Sequence, residues 1–213
     1  MIQRLFLPAI AIVTALLASS VVAHAQPVKI VALGDSLTAG YQLPPNQGFA
    51  PRLQAALQAR GYEVVIENAG VSGDTASGGA DRLDWAVGEN VDGVIVELGA
   101  NDALRGVDPD VTRKALDRIL SRLKERNIPV LLAGMYAPRN MGPEYVQAFD
   151  RIYPELAVKY DVPLYPFFLD GVAGDRTLNL GDGVHPNEAG VGEIVERILP
   201  MVEDFVDELK GKG

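Results

Sequence analysis

The sequence predicts an α/β protein with a parallel sheet covered by helices on both faces. Two observations carry this. Short apolar, β-branched runs alternate with helical runs along the chain, the pattern of βαβ units. The chain also shows no internal repeat, low-complexity tract or second composition regime, so one domain holds all the units.

The elements follow in order. Val28-Lys29-Ile30-Val31-Ala32-Leu33 reads as a first strand ended by Gly34. A helix follows over Pro51 to Arg60, with Gly61 as its C-terminal stop. Glu63 to Glu67 is a second strand, and the Gly- and Ser-rich stretch Gly73 to Gly79 is a loop entering a short helix near Asp81 to Trp85. Gly93 to Leu98 is a third strand. Pro109 opens a helix capped by Asp108 that runs to about Arg126. Pro129 to Ala133 is a fourth strand, and one helix is expected from Pro143 to Tyr160. Val162-Pro163-Leu164-Tyr165 is a short fifth strand, placed at an edge by its proline. The last helix spans Asn187 to Leu209. Its apolar face is Val191, Ile194, Val195, Ile198, Val202, Phe205, Val206 and Leu209.

The first 25 residues read as an export signal rather than as part of the fold. Arg4 precedes an apolar run from Leu5 to Val22, and Ala23-His24-Ala25 has small residues at the cleavage-determining positions. The rival reading is a retained anchor, because the run approaches spanning length. The Ala-x-Ala site before Gln26 and Pro27 favours cleavage, leaving residues 26–213 as the mature domain in the periplasm or outside the cell. No stable membrane insertion is then expected.

Composition excludes several classes. The net charge is −9 and the signal's only charge is Arg4, so the mature chain is more acidic still. Nucleic acid binding needs clustered Lys and Arg and is not expected. There is no cysteine, hence no disulfide, thiolate nucleophile or Cys zinc site. No metal is expected, because the mature chain holds a single histidine. Gly-x-Ser-x-Gly, Gly-Lys-Ser/Thr and Gly-x-Gly-x-x-Gly are all missing, which excludes the α/β-hydrolase elbow and the common phosphate cradles.

That single histidine, His185, lies in Gly181-Asp182-Gly183-Val184-His185-Pro186. Imidazole is the usual general base near neutral pH, and Asp182 stands three residues upstream, in reach to orient it. The mature serines are Ser36, Ser72, Ser77 and Ser121. Ser36 sits in Gly34-Asp35-Ser36-Leu37, directly after the first strand, where a nucleophile can be held exposed beside backbone N–H groups. A Ser-His-Asp set is thus nominated by elimination. Each residue also has a plainer reading: a cap after a strand for Asp35-Ser36, a turn before the last helix for Asp182-His185, an Asx-turn for Asn101 and a loop glycine for Gly73. In open parallel sheets, sites form at the carboxyl ends of strands. Ser36, Gly73, Asn101 and the 134–143 loop all follow expected strands, so they can converge.

Taken together, Gly34-Asp35-Ser36-Leu37, Gly73, Gly99-Ala100-Asn101-Asp102 and Asp182-Gly183-Val184-His185-Pro186 resemble, in this order, the four blocks of the SGNH, or GDSL, hydrolase family. The closer likeness is to its exported arylesterase, acyl-CoA thioesterase and lysophospholipase branch. Leu33 to Tyr41, Asn68 to Thr75 and Gly134-Met135-Tyr136-Ala137-Pro138 carry it. The resemblance implies a flavodoxin-like three-layer α/β/α sandwich with a five-stranded parallel sheet. It implies Ser36 as nucleophile, His185 as base and then acid, and Asp182 as the group orienting the imidazole. Ser36 N–H, Gly73 N–H and the Asn101 amide become the oxyanion hole. The Asp74–Gly79 loop becomes a mobile substrate-contacting loop, and Met135, Tyr136, Pro138 and Met141 line an acyl pocket. The implied partners are small ester, thioester or lysophospholipid substrates, with no cofactor. Two other readings stay open: a carbohydrate O-acetyl esterase, and a non-catalytic binding module on the same scaffold.

Overall fold

The computed structural model describes residues 26–211, so the export-signal expectation for residues 1–25 lies outside it. Five strands form one parallel sheet: β1 (Val28–Gly34), β2 (Val64–Gly70), β3 (Gly93–Glu97), β4 (Val130–Ala133) and β5 (Leu164–Tyr165). Their order is β2-β1-β3-β4-β5. β1 is central, with Ile30 beside Ile66 on one side and Gly93 on the other. β3 and β4 are buried along their whole length, as strands covered on both faces must be. β2, at an edge, alternates: Val64 and Ile66 are buried while Val65 and Glu67 are exposed.

The helices are α1 (Ser36–Ala39), α2 (Phe49–Ala59), α3 (Ala76–Asp81), α4 (Leu83–Ala86), α5 (Ala100–Leu104), α6 (Pro109–Glu125), α7 (Pro143–Asp150), α8 (Ile152–Tyr160) and α9 (Glu188–Gly211). α2 packs against α9, while α3 and α8 pack against α6, giving the two outer layers. All eight residues expected on the apolar face of α9 are buried. Asp108 caps α6 by accepting the Asp110 N–H at 2.9 Å, as its position before Pro109 predicts. No helix among the described residues is long and apolar enough to cross a membrane.

Four expectations are corrected. The single helix over 143–160 is two, broken at Arg151. Pro154 has no N–H to give Asp150, and its ring crowds that carbonyl. β2 runs three residues further than expected, because Asn68, Ala69 and Gly70 pair with Ala32, Leu33 and Gly34. The Asp74–Gly79 segment is mostly α3 rather than a loop. Thr75 caps it by accepting the Gly78 N–H, and the buried Asp102 carboxylate accepts the Ala76 N–H at 2.9 Å. Finally, α5 begins directly behind β3, where the sequence suggests only a turn, whereas α1 behind β1 agrees with the reading of Asp35-Ser36 as a helix cap.

Candidate active site

The strand order reverses direction at β1 and β3, which lie side by side with helices leaving to opposite faces. A crevice opens outside the carboxyl ends at such a switch point. α1 and α5 start there, so Ser36 and Asn101 line the same cavity.

The turn that carries Ser36 is built by Asp35. This residue is fully buried, and its Oδ1 accepts the Leu37 N–H at 2.9 Å, capping α1. Ser36 then occupies the first helical position, where its own N–H has no intrahelical acceptor.

His185 arrives on the segment before α9. Leu180 N–H donates to the His185 carbonyl at 2.7 Å, and an antiparallel bridge joins Asn179 to Pro186. The Asn187 side chain caps α9 and donates to the Thr177 carbonyl, so both ends of this turn are pinned. Within it, Asp182 Oδ1 accepts the N–H groups of Val184 and His185, at 2.9 and 3.0 Å. Those two bonds, His185's first, hold the Asp182 carboxyl down to about 2, so it stays ionised. Its Oδ2 lies 2.7 Å from His185 Nδ1. A carboxylate there places the ring proton on Nδ1 and leaves Nε2 as an acceptor. Nε2 is 2.9 Å from Ser36 Oγ. Ser36, His185 and Asp182 are therefore brought together in one hydrogen-bonded chain.

Gly73 and Asn101 sit beside it. Gly73 has φ +86°, a left-handed backbone that favours glycine, and a Cβ built there would meet Arg105 Nη2 at 3.6 Å. The Asn101 amide donates to Asp35 Oδ2 at 3.0 Å and to the Asp74 carbonyl at 2.9 Å. Arg105 Nη2 joins the two residues from outside, 3.1 Å from the Gly73 carbonyl and 3.4 Å from Asn101 Oδ1.

Behind the turn lies a group that the sequence reading did not single out. Glu97, the last residue of β3, is buried, and its Oε2 accepts the Thr38 hydroxyl at 2.7 Å and the Asp35 N–H at 3.4 Å. Burial, then the neighbouring Asp35 charge, pushes Glu97 well above the ordinary carboxylate range. Burial also raises Asp35 to about 6, offset by the Leu37 N–H and the Asn101 amide. A carboxyl closing an otherwise apolar strand was the available signal.

Ser36 and His185 open into a cavity of about 480 Å³. Its wall is mainly apolar and includes Leu37, Leu104, Met135, Tyr136, Phe167 and Leu169. Pro138 lines it too, as expected. Met141 does not: it lies in a 3-10 turn (Arg139–Met141) with its terminal methyl directed at Gly106. No residue of the 74–79 segment lines the cavity. Phe167 and Leu169, from the stretch after β5, and Leu104, on α5, were not anticipated. Phe167 stacks on Tyr136 at 4.7 Å between ring centroids. Among the described residues, no group of three or more His, Asp or Glu is placed to hold a metal ion.

The pattern of the GDSL-like lipase/acylhydrolase family matches residues 32–191, most of the chain. The chain belongs to that family. Esterase TesA of Pseudomonas aeruginosa is 36% identical over 178 residues, which is 83% of this chain and 89% of the relative. Thioesterase 1/protease 1/lysophospholipase L1 of Escherichia coli K12 is 39% identical over 179 residues, 84% of this chain and 85% of that one. The solved structure of AlinE4, an SGNH-hydrolase family esterase, superposes with a TM-score of 0.72 at 43% identity, covering 85% of this chain and 97% of the other. In this GDSL family member, Gly34–Leu37, Gly73 and Gly99–Asp102 come at or after the ends of β1, β2 and β3, and Asp182–Pro186 precedes α9.

Proposed function

We propose that this GDSL family member is a serine hydrolase of carboxylic esters and thioesters, of the arylesterase, thioesterase and lysophospholipase type. The observation that carries the reading is the hydrogen-bonded chain from Asp182 through His185 to Ser36, opening into an apolar cavity. Ser36 Oγ attacks the substrate carbonyl carbon while His185 Nε2 takes its proton. Asp182 stabilises the imidazolium without accepting that proton. The carbonyl oxygen, now negative, is met by the N–H groups of Ser36 and Gly73 and by the Asn101 amide. Both Asn101 protons already have acceptors, so the oxyanion shares or displaces the Asp74 bond. The imidazolium then protonates the departing alcohol or thiol, leaving an acyl-Ser36. Water, deprotonated by His185, releases the acid and restores Ser36.

The relatives' names point to the same substrates, and the apolar wall suits an acyl chain. A carbohydrate O-acetyl esterase would call for a polar cleft instead. The leader over residues 1–25 supports a periplasmic or secreted enzyme. The test is hydrolysis of p-nitrophenyl esters from acetate to palmitate by the purified chain, with Ser36→Ala as control. Ser36-dependent turnover that favours an acyl chain beyond acetyl supports the reading. Turnover equal in both proteins removes it.

A further inference from the structure

His185 has a third neighbour besides Asp182 and Ser36. The Tyr41 ring packs against the imidazole, 4.4 Å between centroids with the planes tilted by 35°. The chain reaches this place through a tight turn at the end of the nucleophile helix. The N–H groups of Gly40 and Tyr41 both donate to the Ser36 carbonyl at 3.1 Å, and Leu43 N–H donates to the Gly40 carbonyl at 3.0 Å. Gly40 has φ +78°, the left-handed conformation of a helix C-cap. Gln42, on the other side of Tyr41, has φ +58°, which is uncommon for a residue with a side chain. Two left-handed residues therefore bracket Tyr41 and fold it back over the histidine. Tyr41 is 38% exposed, so core burial does not account for this arrangement.

We infer that Tyr41 is a positioning residue that holds the His185 imidazole between Asp182 and Ser36 and stabilises its protonated form through the face of its ring. The inference rests on the serine-hydrolase reading. Asp182 and Ser36 fix the two ring nitrogens, but neither bond opposes a swing of the ring about the line joining them. A flat side chain packed on the ring does. During acylation the imidazole becomes a cation, and an aromatic face at this distance attracts a cation. An aromatic ring is therefore required, whereas the phenol hydroxyl, which meets the Gln42 amide at 3.2 Å, is not. The charged groups acting on the imidazole are Asp182, bonded to Nδ1, and Asp35, at the N-cap of α1; both stay in place when Tyr41 is changed.

The test compares Tyr41→Phe and Tyr41→Leu in the full chain, following kcat, KM and the pH profile of kcat/KM on a p-nitrophenyl ester. Leucine keeps the imidazole covered but removes the π face, so hydration of the ring is not the variable. Tyr41→Phe is expected to match wild type. Tyr41→Leu is expected to lose about tenfold in kcat with little change in KM. The acid limb of its kcat/KM profile should move down by about 0.4 to 0.7 pH unit, as an exposed cation–π interaction is removed. An unmoved acid limb and unchanged kcat in the leucine variant would overturn the inference. So would an equal loss in the phenylalanine variant, which would assign the effect to the hydroxyl. Wild type lacking Ser36-dependent turnover would instead overturn the hydrolase reading beneath it.

Discussion

Asn101 Nδ2 donates to Asp35 Oδ2 at 3.0 Å, joining two residues 66 positions apart in the chain. Asp35 thereby does two things at once: it caps the helix that starts at Ser36 and holds the amide assigned to the oxyanion. Ser36 and Asn101 are both tied to one buried carboxylate, which sets their spacing. Such preorganisation holds the amide by its Asp35 bond while the oxyanion takes over or shares the bond to the Asp74 carbonyl.

Removal of that amide gives the first prediction. Asn101→Ala should lower kcat by about 10²–10³ with a small change in KM, as expected for one missing oxyanion donor. Steady-state kinetics decide it. A rise in KM at constant kcat would make Asn101 a ground-state binding residue instead.

Ser36 and His185 act as a unit, so their losses should not add. Ser36→Ala and His185→Ala should each remove nearly all esterase activity, and the double variant should be little worse than either. A double variant whose loss is the product of the single losses would show that the two groups work separately.

The Asp35–Glu97 pair gives a pH-dependent stability. Both carboxyls are raised above their unfolded values, Asp35 to about 6 and Glu97 well beyond the ordinary range. Groups raised in this way contribute stability that is complete below the unfolded value near 4 and is lost as pH rises through the folded value. The wild-type unfolding midpoint should therefore fall between pH 5 and pH 8. Glu97→Gln keeps an oxygen for Thr38 and Asp35 N–H but cannot ionise, so its midpoint should fall less over that interval. Thermal denaturation at pH 5, 6, 7 and 8 provides the comparison, and identical slopes would count against the pair.

Acyl preference should depend on Tyr136 and not on Met141. Tyr136 lines the cavity against Phe167, whereas Met141 lies outside it. Leaving one methylene of the acyl chain uncovered costs up to about 0.8 kcal/mol. Tyr136→Ala should reduce kcat/KM for octanoyl esters more than for acetyl esters, while Met141→Ala should leave the ratio unchanged. A ratio that responds to Met141 alone would reverse the assignment.

The frame of the molecule is readable from local pattern, because each strand is an apolar run and α9 shows its buried face at helical spacing. β5 also lies at the edge that Pro163 suggests. What escapes such a reading is short or tertiary. α1 and α5 have four and five residues, too few for a helical period to show in the sequence. Asn68-Ala69-Gly70 has no strand character of its own and is extended because β1 pairs with it. Ser36 and His185 stand out by scarcity, since residues 26–213 hold four serines and one histidine, and Asp182 stands out by its place three residues before that histidine. Tyr41 and Glu97 act on residues far away in the chain, and no spacing announces such an approach. The cavity wall divides in the same way. Met135, Tyr136 and Pro138 follow β4 directly, whereas Phe167 and Leu169 reach it from an irregular stretch.

The most direct test of Ser36 as nucleophile is mass spectrometry of the chain after reaction with a fluorophosphonate. A phosphonyl group should appear on the peptide carrying Ser36, and only when the Asp182–His185–Ser36 chain is intact. His185→Ala should slow the labelling by orders of magnitude, and Ser36→Ala should abolish it. Labelling at Ser72, Ser77 or Ser121, or full labelling without His185, would contradict the account.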